Sequence, residues 1–290
     1  MNTRPFFKSI GLWLIALFVI TSACEKVSFN DQKHNDKEEK TDDSNDNKAD
    51  INDRNKACTI DVTVAPFSLT RAEAYTPDKP KILYALFDSL GRRCWRTEQQ
   101  SGVDPDYGHL TANIDPGKYH LLTIGHHTKK IEKCTLDSVT FADDFPLDTY
   151  SRTTSFTISK GENKTLSVSL ENITAQIEIT LPDGKPKDLR SVSVTFGKGN
   201  IGFCPLSGFA YGDDEKRDFF SHDMFTQENN YTVSSYRFLT SNQETTNITV
   251  ALTDFYGERI GEYSFEGVLL KRGKKAELNP KSSLGIITVR

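Results

Sequence analysis

The chain has 290 residues, a formal net charge of −4 and an isoelectric point near 5.9. A nucleic-acid-binding surface needs a basic patch, so this charge balance argues against nucleic acid as a partner. Hydrophobic residues make up 36% of the chain, which suits strands that bury one face only. The part from residue 58 onward is long enough for two small domains or one large sandwich.

The N-terminus carries an export signal, in which basic residues precede an apolar run over residues 10–20 and small residues follow it. The run is shorter than the roughly 20 residues that span a bilayer, so we expect it to be removed. Ser22 and Ala23 directly before Cys24 resemble the lipobox of bacterial lipoproteins, whose cysteine is acylated after cleavage. The resemblance predicts a signal peptide over 1–23 and outer-membrane attachment through acyl chains on Cys24. The alternatives are an ordinary secreted protein that is cut nearby and a buried cysteine.

Residues 24–57 are polar and strongly charged, with a run of acidic, basic and amide side chains over residues 36–48. Such a segment buries too little apolar surface to offset the entropy of ordering. The composition predicts a disordered tether that holds the folded part away from the membrane.

Four further cysteines, Cys58, Cys94, Cys134 and Cys204, form an even set in a compartment that permits disulfides. Their spacing has no metal signature, and four cysteines allow three pairings that a sequence alone does not distinguish. Cys94 with Cys134 is the favoured disulfide because both lie near strand ends of one predicted domain. Free buried thiols remain the alternative.

The first half after the tether has the period of two that half-buried strands show, beginning with residues 60–64. The apolar run over residues 82–87 leads into Asp88-Ser89-Leu90-Gly91, which predicts a hairpin. Pro116-Gly117 lies between two further strands. This dipeptide predicts a type II turn with positive φ at Gly117 that reverses the chain.

Short strands with frequent turn signals continue to the C-terminus, and this density predicts β-sandwiches rather than α/β units. The predicted strands are residues 156–158, 166–170, 173–181, 192–196, 231–239, 248–253, 260–265, 267–278 and 284–289. Residues 214–220 suit one or two helical turns, and residues 137–150 are predicted to be a long loop.

The sequence contains no glycine-rich phosphate loop, nucleophile elbow or metalloprotease helix motif. His120 on an alternating strand is predicted to face solvent, and His126-His127 to be a polar loop rather than a metal site. We therefore predict no catalytic residue, metal or cofactor, and expect a protein that is not an enzyme.

Several segments, in this order, resemble the fimbrillin superfamily of Bacteroidetes-type lipoproteins, which includes stalk, anchor and tip subunits. The matching segments after the lipobox are residues 64–72, 83–91, 116–119, 173–177 and 267–278. The resemblance implies an all-β chain with two tandem transthyretin-like β-sandwich domains, over residues 58–175 and 176–290. It also implies a place in a surface fimbria, with other fimbrial subunits and host or bacterial surface ligands as partners.

Members of this superfamily polymerise by strand exchange, in which a neighbour's strand fills a groove with unpaired backbone groups. In stalk subunits a protease cuts behind the first strand, and Arg71-Ala72 matches that position here. Anchor subunits keep the first strand, so an intact Arg71 would indicate an anchor. The C-terminal residues Ile286, Ile287, Thr288 and Val289 are a candidate donor strand, although the last strand of their own domain is the slightly favoured interpretation.

A surface glycan-binding lipoprotein of polysaccharide uptake is the alternative function, because it shares the lipobox, the tether and the sandwiches. Such proteins stack sugars on exposed aromatic rings. The candidate rings are Trp95, Tyr107, Tyr150 and Tyr211.

Overall fold

The structure is a computed structural model that describes residues 58–69, 79–127, 130–141, 147–181, 187–198, 202–211, 215–221, 231–279 and 286–289. For residues 197, 198, 211, 215–221, 231 and 286–289 it describes the backbone alone. The predicted signal peptide and tether, with Cys24, lie outside the described residues, as do Arg71 and Ala72.

Every regular element among the described residues is a β-strand, which confirms the predicted all-β class. The strands in chain order are β1 Cys58–Val64, β2 Lys81–Asp88, β3 Arg93–Gln100, β4 His109–Ile114, β5 Gly117–His126, β6 Ile131–Cys134, β7 Val139–Phe141, β8 Tyr150–Ile158, β9 Asn163–Val168, β10 Glu171–Asn172, β11 Thr174–Leu181, β12 Leu189–Lys198, β13 Gly202–Phe203, β14 Ala210–Tyr211, β15 Glu215–Ser221, β16 Tyr231–Phe238, β17 Gln243–Asp254, β18 Arg259–Lys271, β19 Lys275–Asn279 and β20 Ile286–Val289.

Four of the five sheets form two sandwiches. In the first sandwich, the sheet β4-β1-β9 packs on the sheet β10-β8-β5-β2-β3, and in the second, β16-β11-β19-β20 packs on β15-β12-β17-β18. The predicted domain boundary at residues 175 and 176 lies inside β11, which begins at Thr174 and belongs to the second sandwich.

The two sandwiches repeat one strand arrangement. In the first, β1 lies between antiparallel β4 and parallel β9, and in the second, β11 lies between antiparallel β16 and parallel β19. The opposite sheets follow the same equivalence, since β8-β5-β2-β3 corresponds to β18-β17-β12-β15. The second sandwich has one additional strand, β20, at the outer side of β19.

The fifth sheet, β14-β13-β7-β6, takes two strands from each half of the chain and is here called the bridging sheet. It covers the face of β2 and β5 that the first sandwich leaves outside. Leu83, Ala85 and Phe87 point into this bridging core, while the alternate β2 residues Ile82, Tyr84 and Leu86 point into the first sandwich. Burial on both faces explains why β2 is apolar at six consecutive positions instead of alternating.

Two segments differ from the sequence-based expectation. Residues 215–221, which overlap the segment 214–220 predicted to be helical, form β15 because they pair with β12 as an edge strand of the second sandwich. Residues 139–141, within the predicted long loop, form β7 at the centre of the bridging sheet. Both pairings depend on partners distant in sequence, so tertiary context overrides the local pattern.

Pro116-Gly117, predicted to be a type II turn between two strands, joins strands that do not pair, because β4 and β5 belong to different sheets. Nor does Gly117 have the positive φ that was predicted. The glycine leaves room for Tyr119, whose ring carbon Cε2 would lie 3.1 Å from a Cβ at this position. The Tyr119 hydroxyl donates a hydrogen bond to the carbonyl oxygen of Asp115 at 3.0 Å. Proline, glycine and tyrosine therefore form a corner that carries the chain from one sheet to the other.

An aromatic stack holds the two halves of the chain together within the bridging core. Phe238 of β16 is fully buried, with its ring centroid 5.8 Å from that of Phe141 in β7 and 5.2 Å from that of Phe203 in β13. Aromatic pairs at these separations contribute about 0.5–1.5 kcal/mol beyond the area they bury.

Phe238→Ala is expected to lower the free energy of unfolding by about 3–5 kcal/mol, the usual cost of a buried phenylalanine. The substitution lies in the second half of the chain, yet we expect it to destabilise the first half too. Trp95, in the first sandwich, reports on that half because the only other tryptophan of the sequence is Trp13, in the predicted signal peptide. Urea unfolding followed by Trp95 fluorescence should shift to lower urea concentration.

Phe255→Ala is the matched control for this variant, because Phe255 is 53% exposed and should cost about 0.5 kcal/mol or less. An unchanged Trp95 transition in the Phe238→Ala chain would show that the two sandwiches unfold independently.

Candidate assembly site

Strand β1 is the structural centre of the candidate assembly site. It pairs with β4 from Cys58 to Thr63 and with β9 from Thr59 to Val64, so it uses both of its edges. Its residues Cys58, Ile60 and Val62 are fully buried in the first core. Apolar side chains buried in this way stabilise a fold by about 1.5–3 kcal/mol each.

Removal of β1 would leave a groove in the first sandwich. The strands β4 and β9 lie about 10 Å apart across β1, because neighbouring strands are spaced by about 4.8 Å. Both would lose their ladder partner, and the apolar floor beneath Ile60 and Val62 would meet water. Such a groove fits one extended apolar strand, which is the geometry that strand exchange requires.

The segment after β1 is held down by Phe67, four residues before Arg71. The Phe67 ring lies 5.6 Å from that of Tyr150, centroid to centroid, and occupies the space where Gly125 has no side chain. A Cβ at Gly125 would lie 2.4 Å from the Phe67 ring. The residues between β1 and the candidate processing site are therefore packed on the sandwich at least as far as Phe67.

The candidate donor strand, Ile286–Val289, forms β20 in its own chain. It pairs antiparallel with β19, where Leu278 lies opposite Ile287, and it ends the sheet of the second sandwich. The equivalent position in the first sandwich, beside β9, holds no strand among the described residues.

The cysteines Cys58, Cys94, Cys134 and Cys204 are free thiols in the structure. Cys94 is exposed on β3, whereas Cys134 is buried in the bridging core. The structure thus contains no Cys94–Cys134 bond, and this pairing stays a prediction.

The histidine pair predicted to be a polar loop is buried instead. His126 ends β5 and is fully buried, and His127 is 3% exposed. The Nε2 atom of His126 lies 3.3 Å from the Glu98 carboxylate, and the Lys81 ammonium lies 3.7 Å from the other carboxylate oxygen. The burial of these two histidines was not predicted from the sequence, because the bridging sheet covers them. The centroid of the Phe141 ring lies 6.5 Å from that of the His126 imidazole.

Burial lowers the pKa of His126 below its ordinary value of 6.5, although the Glu98 carboxylate opposes the shift. Partial burial acts to raise the pKa of Glu98, but the hydrogen bond to His126 and the nearby cations hold it below 4.5. Within the described part of the chain, no three His, Cys, Asp or Glu side chains converge as a metal site requires.

Three of the four candidate sugar-stacking rings are not exposed platforms. Trp95, Tyr107 and Tyr150 are half-buried and pack against the first core, and the side chain of Tyr211 is outside the described residues. The most exposed aromatic ring of the described residues belongs to Tyr256, which is 92% exposed in the turn between β17 and β18.

Two sandwiches of one topology, joined through a bridging sheet, define a tandem β-sandwich protein. A model of the family described as fimbrillin-A associated anchor proteins Mfa1 and Mfa2 matches residues 83–259, more than half of the chain. The chain therefore belongs to this anchor family, as the sequence resemblance predicted.

Solved structures with a TM-score of 0.50 or more share the fold. A protein provisionally described as polysaccharide-binding, from Bacteroides thetaiotaomicron, has a TM-score of 0.53 at 11% identity over 80% of this chain and 96% of its own. One provisionally described as an adhesin, from Bacteroides ovatus, has a TM-score of 0.50 at 11% identity over 78% and 88%. The fimbrial anchor protein Mfa2 of Porphyromonas gingivalis has a TM-score of 0.46 at 9% identity over 81% and 97%. No curated protein sequence matches the chain.

The buried His126 predicts a loss of stability in mild acid. The unfolded chain binds a proton at this residue near pH 6.5, whereas the folded chain resists it, so lowering the pH through 6.5 favours unfolding. The loss reaches at most about 1.4 kcal/mol per pH unit until the folded pKa is reached. Glu98 acts in the same direction only below about pH 4.5, where its unfolded carboxyl takes up a proton.

His126→Gln should flatten the dependence of the unfolding free energy on pH between 7 and 5. His120→Gln is the control, because His120 is only half-buried and bonds Ser155 at the surface. The slope is the measurement, since a buried substitution also changes the absolute stability. Equal slopes of unfolding free energy against pH in the two variants would contradict the role of His126 in the acid sensitivity.

Proposed function

We propose that this protein is an anchor-type subunit of a surface fimbria, attached to the outer membrane through acyl chains on Cys24. Membership of the fimbrillin-A associated anchor family is the observation that carries the proposal. The lipid attachment is supported by the order of segments ahead of β1: an export signal, small residues before a cysteine, and a polar segment.

The fimbrial contact proposed here is β-strand exchange with a neighbouring subunit. A strand that is central in its sheet and apolar on its inner face is what a neighbour's strand would have to replace, and β1 has both properties. An intact β1 instead closes the first sandwich, as suits a subunit at the base that receives no strand there. The C-terminal strand β20 lies at a sheet edge, so it is the strand most readily donated to a neighbouring subunit.

Such a contact joins unlike surfaces and does not close on itself, so it propagates in one direction. A subunit with lipid at its N-terminus and a closed first sandwich would end the filament at the membrane. This arrangement is the physical reason for proposing the anchor role over the stalk role.

Glycan binding is the second candidate function, because one fold relative is provisionally described as polysaccharide-binding. At 11% identity that likeness shows the fold alone. The half-buried positions of Trp95, Tyr107 and Tyr150 argue against the stacking site first predicted. Saturable binding of the soluble domain on a glycan array would favour this alternative.

Cys24→Ser should move the protein from the membrane fraction to the soluble fraction, because multiple acyl chains supply the attachment. Cys94→Ser is the matched control, since Cys94 is an exposed cysteine of the folded part. Immunoblots of separated fractions from the parent bacterium measure the effect. A Cys24→Ser chain that stays with the membrane would refute lipid anchoring.

The anchor role predicts that Arg71 is not cut in the assembled protein. Mass spectrometry of the protein on sheared cells should find an acylated N-terminus at Cys24, with β1 still covalently attached. A mature N-terminus at Ala72 would identify a stalk-like, processed subunit and overturn the anchor proposal.

A further inference from the structure

Three of the six most exposed large hydrophobic side chains of the described residues lie on one hairpin, formed by β17 and β18. Phe255 is 53% exposed and Tyr256 92%, both in the turn, and Ile260, the second residue of β18, is 41% exposed. These three residues are here called the aromatic tip. Ile260 faces outward because the pairing register shifts between Leu252 and Thr253, which leaves it as the extra residue of a β-bulge.

The backbone of the tip is held in one shape. The Asp254 carboxylate accepts hydrogen bonds from the N–H groups of Tyr256 at 2.9 Å and Glu258 at 2.8 Å. Gly257 takes a φ of 87° and donates from its N–H to the Asp254 carbonyl at 3.2 Å. The Arg190 guanidinium lies 5.8 Å from the centroid of the Phe255 ring. A tip ordered before binding loses little conformational entropy on association.

The fold itself does not require aromatic residues at this turn. Asp88-Ser89-Leu90-Gly91 forms the same turn elsewhere in the chain, with the Asp88 carboxylate accepting from the N–H groups of Leu90 and Arg92 at 2.9 Å each. There too the glycine has a positive φ and bonds the aspartate carbonyl. The turn needs aspartate and glycine, so its geometry does not require the aromatic ring of Tyr256.

The aromatic tip and the start of β1 lie at outer ends of the two sandwiches. Asp254 pairs in register with Leu189, which is remote from Thr174, where the second sandwich begins. Cys58, at the start of β1, pairs with Ile114. It lies at the opposite end of β1 from Val64, which is the end nearer the junction between the two sandwiches. A chain attached through its N-terminus therefore presents the aromatic tip at the end of the second sandwich that lies away from the junction.

The polar groups around the rings favour a protein over a sugar as the occupant. A sugar carries hydroxyl groups that need hydrogen-bonding partners, yet the Asp254 carboxylate is used by the turn and the Arg259 guanidinium is paired with Glu262. Tyrosine, phenylalanine and arginine are the residue types that interface hot spots favour. Among the described residues no carboxylate pairs with Arg190, which suits a partner with an acidic rim.

From these observations we propose that the aromatic tip is a docking site for another protein subunit of the same fimbria. The partner offers an apolar pocket for the Tyr256 ring and an acidic rim for Arg190. The inference rests on the proposed fimbrial function and adds a side-chain contact that is separate from strand exchange.

The test exchanges the tip for the chain's own turn sequence. The double substitution Phe255→Ser with Tyr256→Leu keeps Asp254 and Gly257 and reproduces the turn at Asp88. Fimbriae sheared from the parent bacterium are the probe, bound to the immobilised full chain in detergent. We expect binding about thirtyfold weaker than for the unmodified chain, which is the size of a hot-spot loss. Thermal unfolding checks that the variant is folded.

The reciprocal variant, Ser89→Phe with Leu90→Tyr, is the control for general stickiness of an aromatic turn, and its binding should equal that of the unmodified chain. Equal binding by the tip variant would overturn the docking inference and leave the proposed function standing. No binding by the unmodified chain would overturn both. Loss of binding after periodate oxidation of the fimbriae would show a glycan partner and would also overturn the inference.

Discussion

The two-sided burial of the central sheet in the first sandwich is the constraint on which the architecture depends. Alternate residues of β2 enter different cores, so Leu86 packs under β1 while Phe87 packs under the bridging sheet. A sheet that is apolar on both faces must be covered twice, and the second cover takes strands from both halves of the chain. The two sandwiches are therefore joined through one shared core.

The same constraint separates the parts of the molecule that hold it together from the parts that are free to engage a partner. Phe238 and the buried His126 lie beneath the bridging sheet and maintain the body. The positions suited to assembly are at its periphery: the sheet β4-β1-β9, the edge strand β20 and the aromatic tip. Among the described side chains, none from β1, β4, β9 or the aromatic tip contributes to the bridging core.

Sequence patterns were reliable where a few neighbouring residues determine the conformation. Asp88 and Gly91 form the predicted hairpin turn because an aspartate carboxylate and a positive-φ glycine are sufficient for it. Pro116-Gly117 showed the limit of such reasoning, since the glycine serves the Tyr119 ring and not the dihedral angle of a turn. His126 was predicted to be solvated because a polar pair at a strand end gives no sign of a sheet from elsewhere that covers it.

The sequence by itself determined the all-β class, most strand positions and the family. These follow from side-chain periodicity, local turn chemistry and short motifs, each of which depends on residues close together in the sequence. The tertiary structure alone decided which strands are neighbours: β1 at the centre of its sheet, β20 beside β19, and β7 against β13. Pairing between distant strands depends on which apolar faces meet, and no local pattern records that choice.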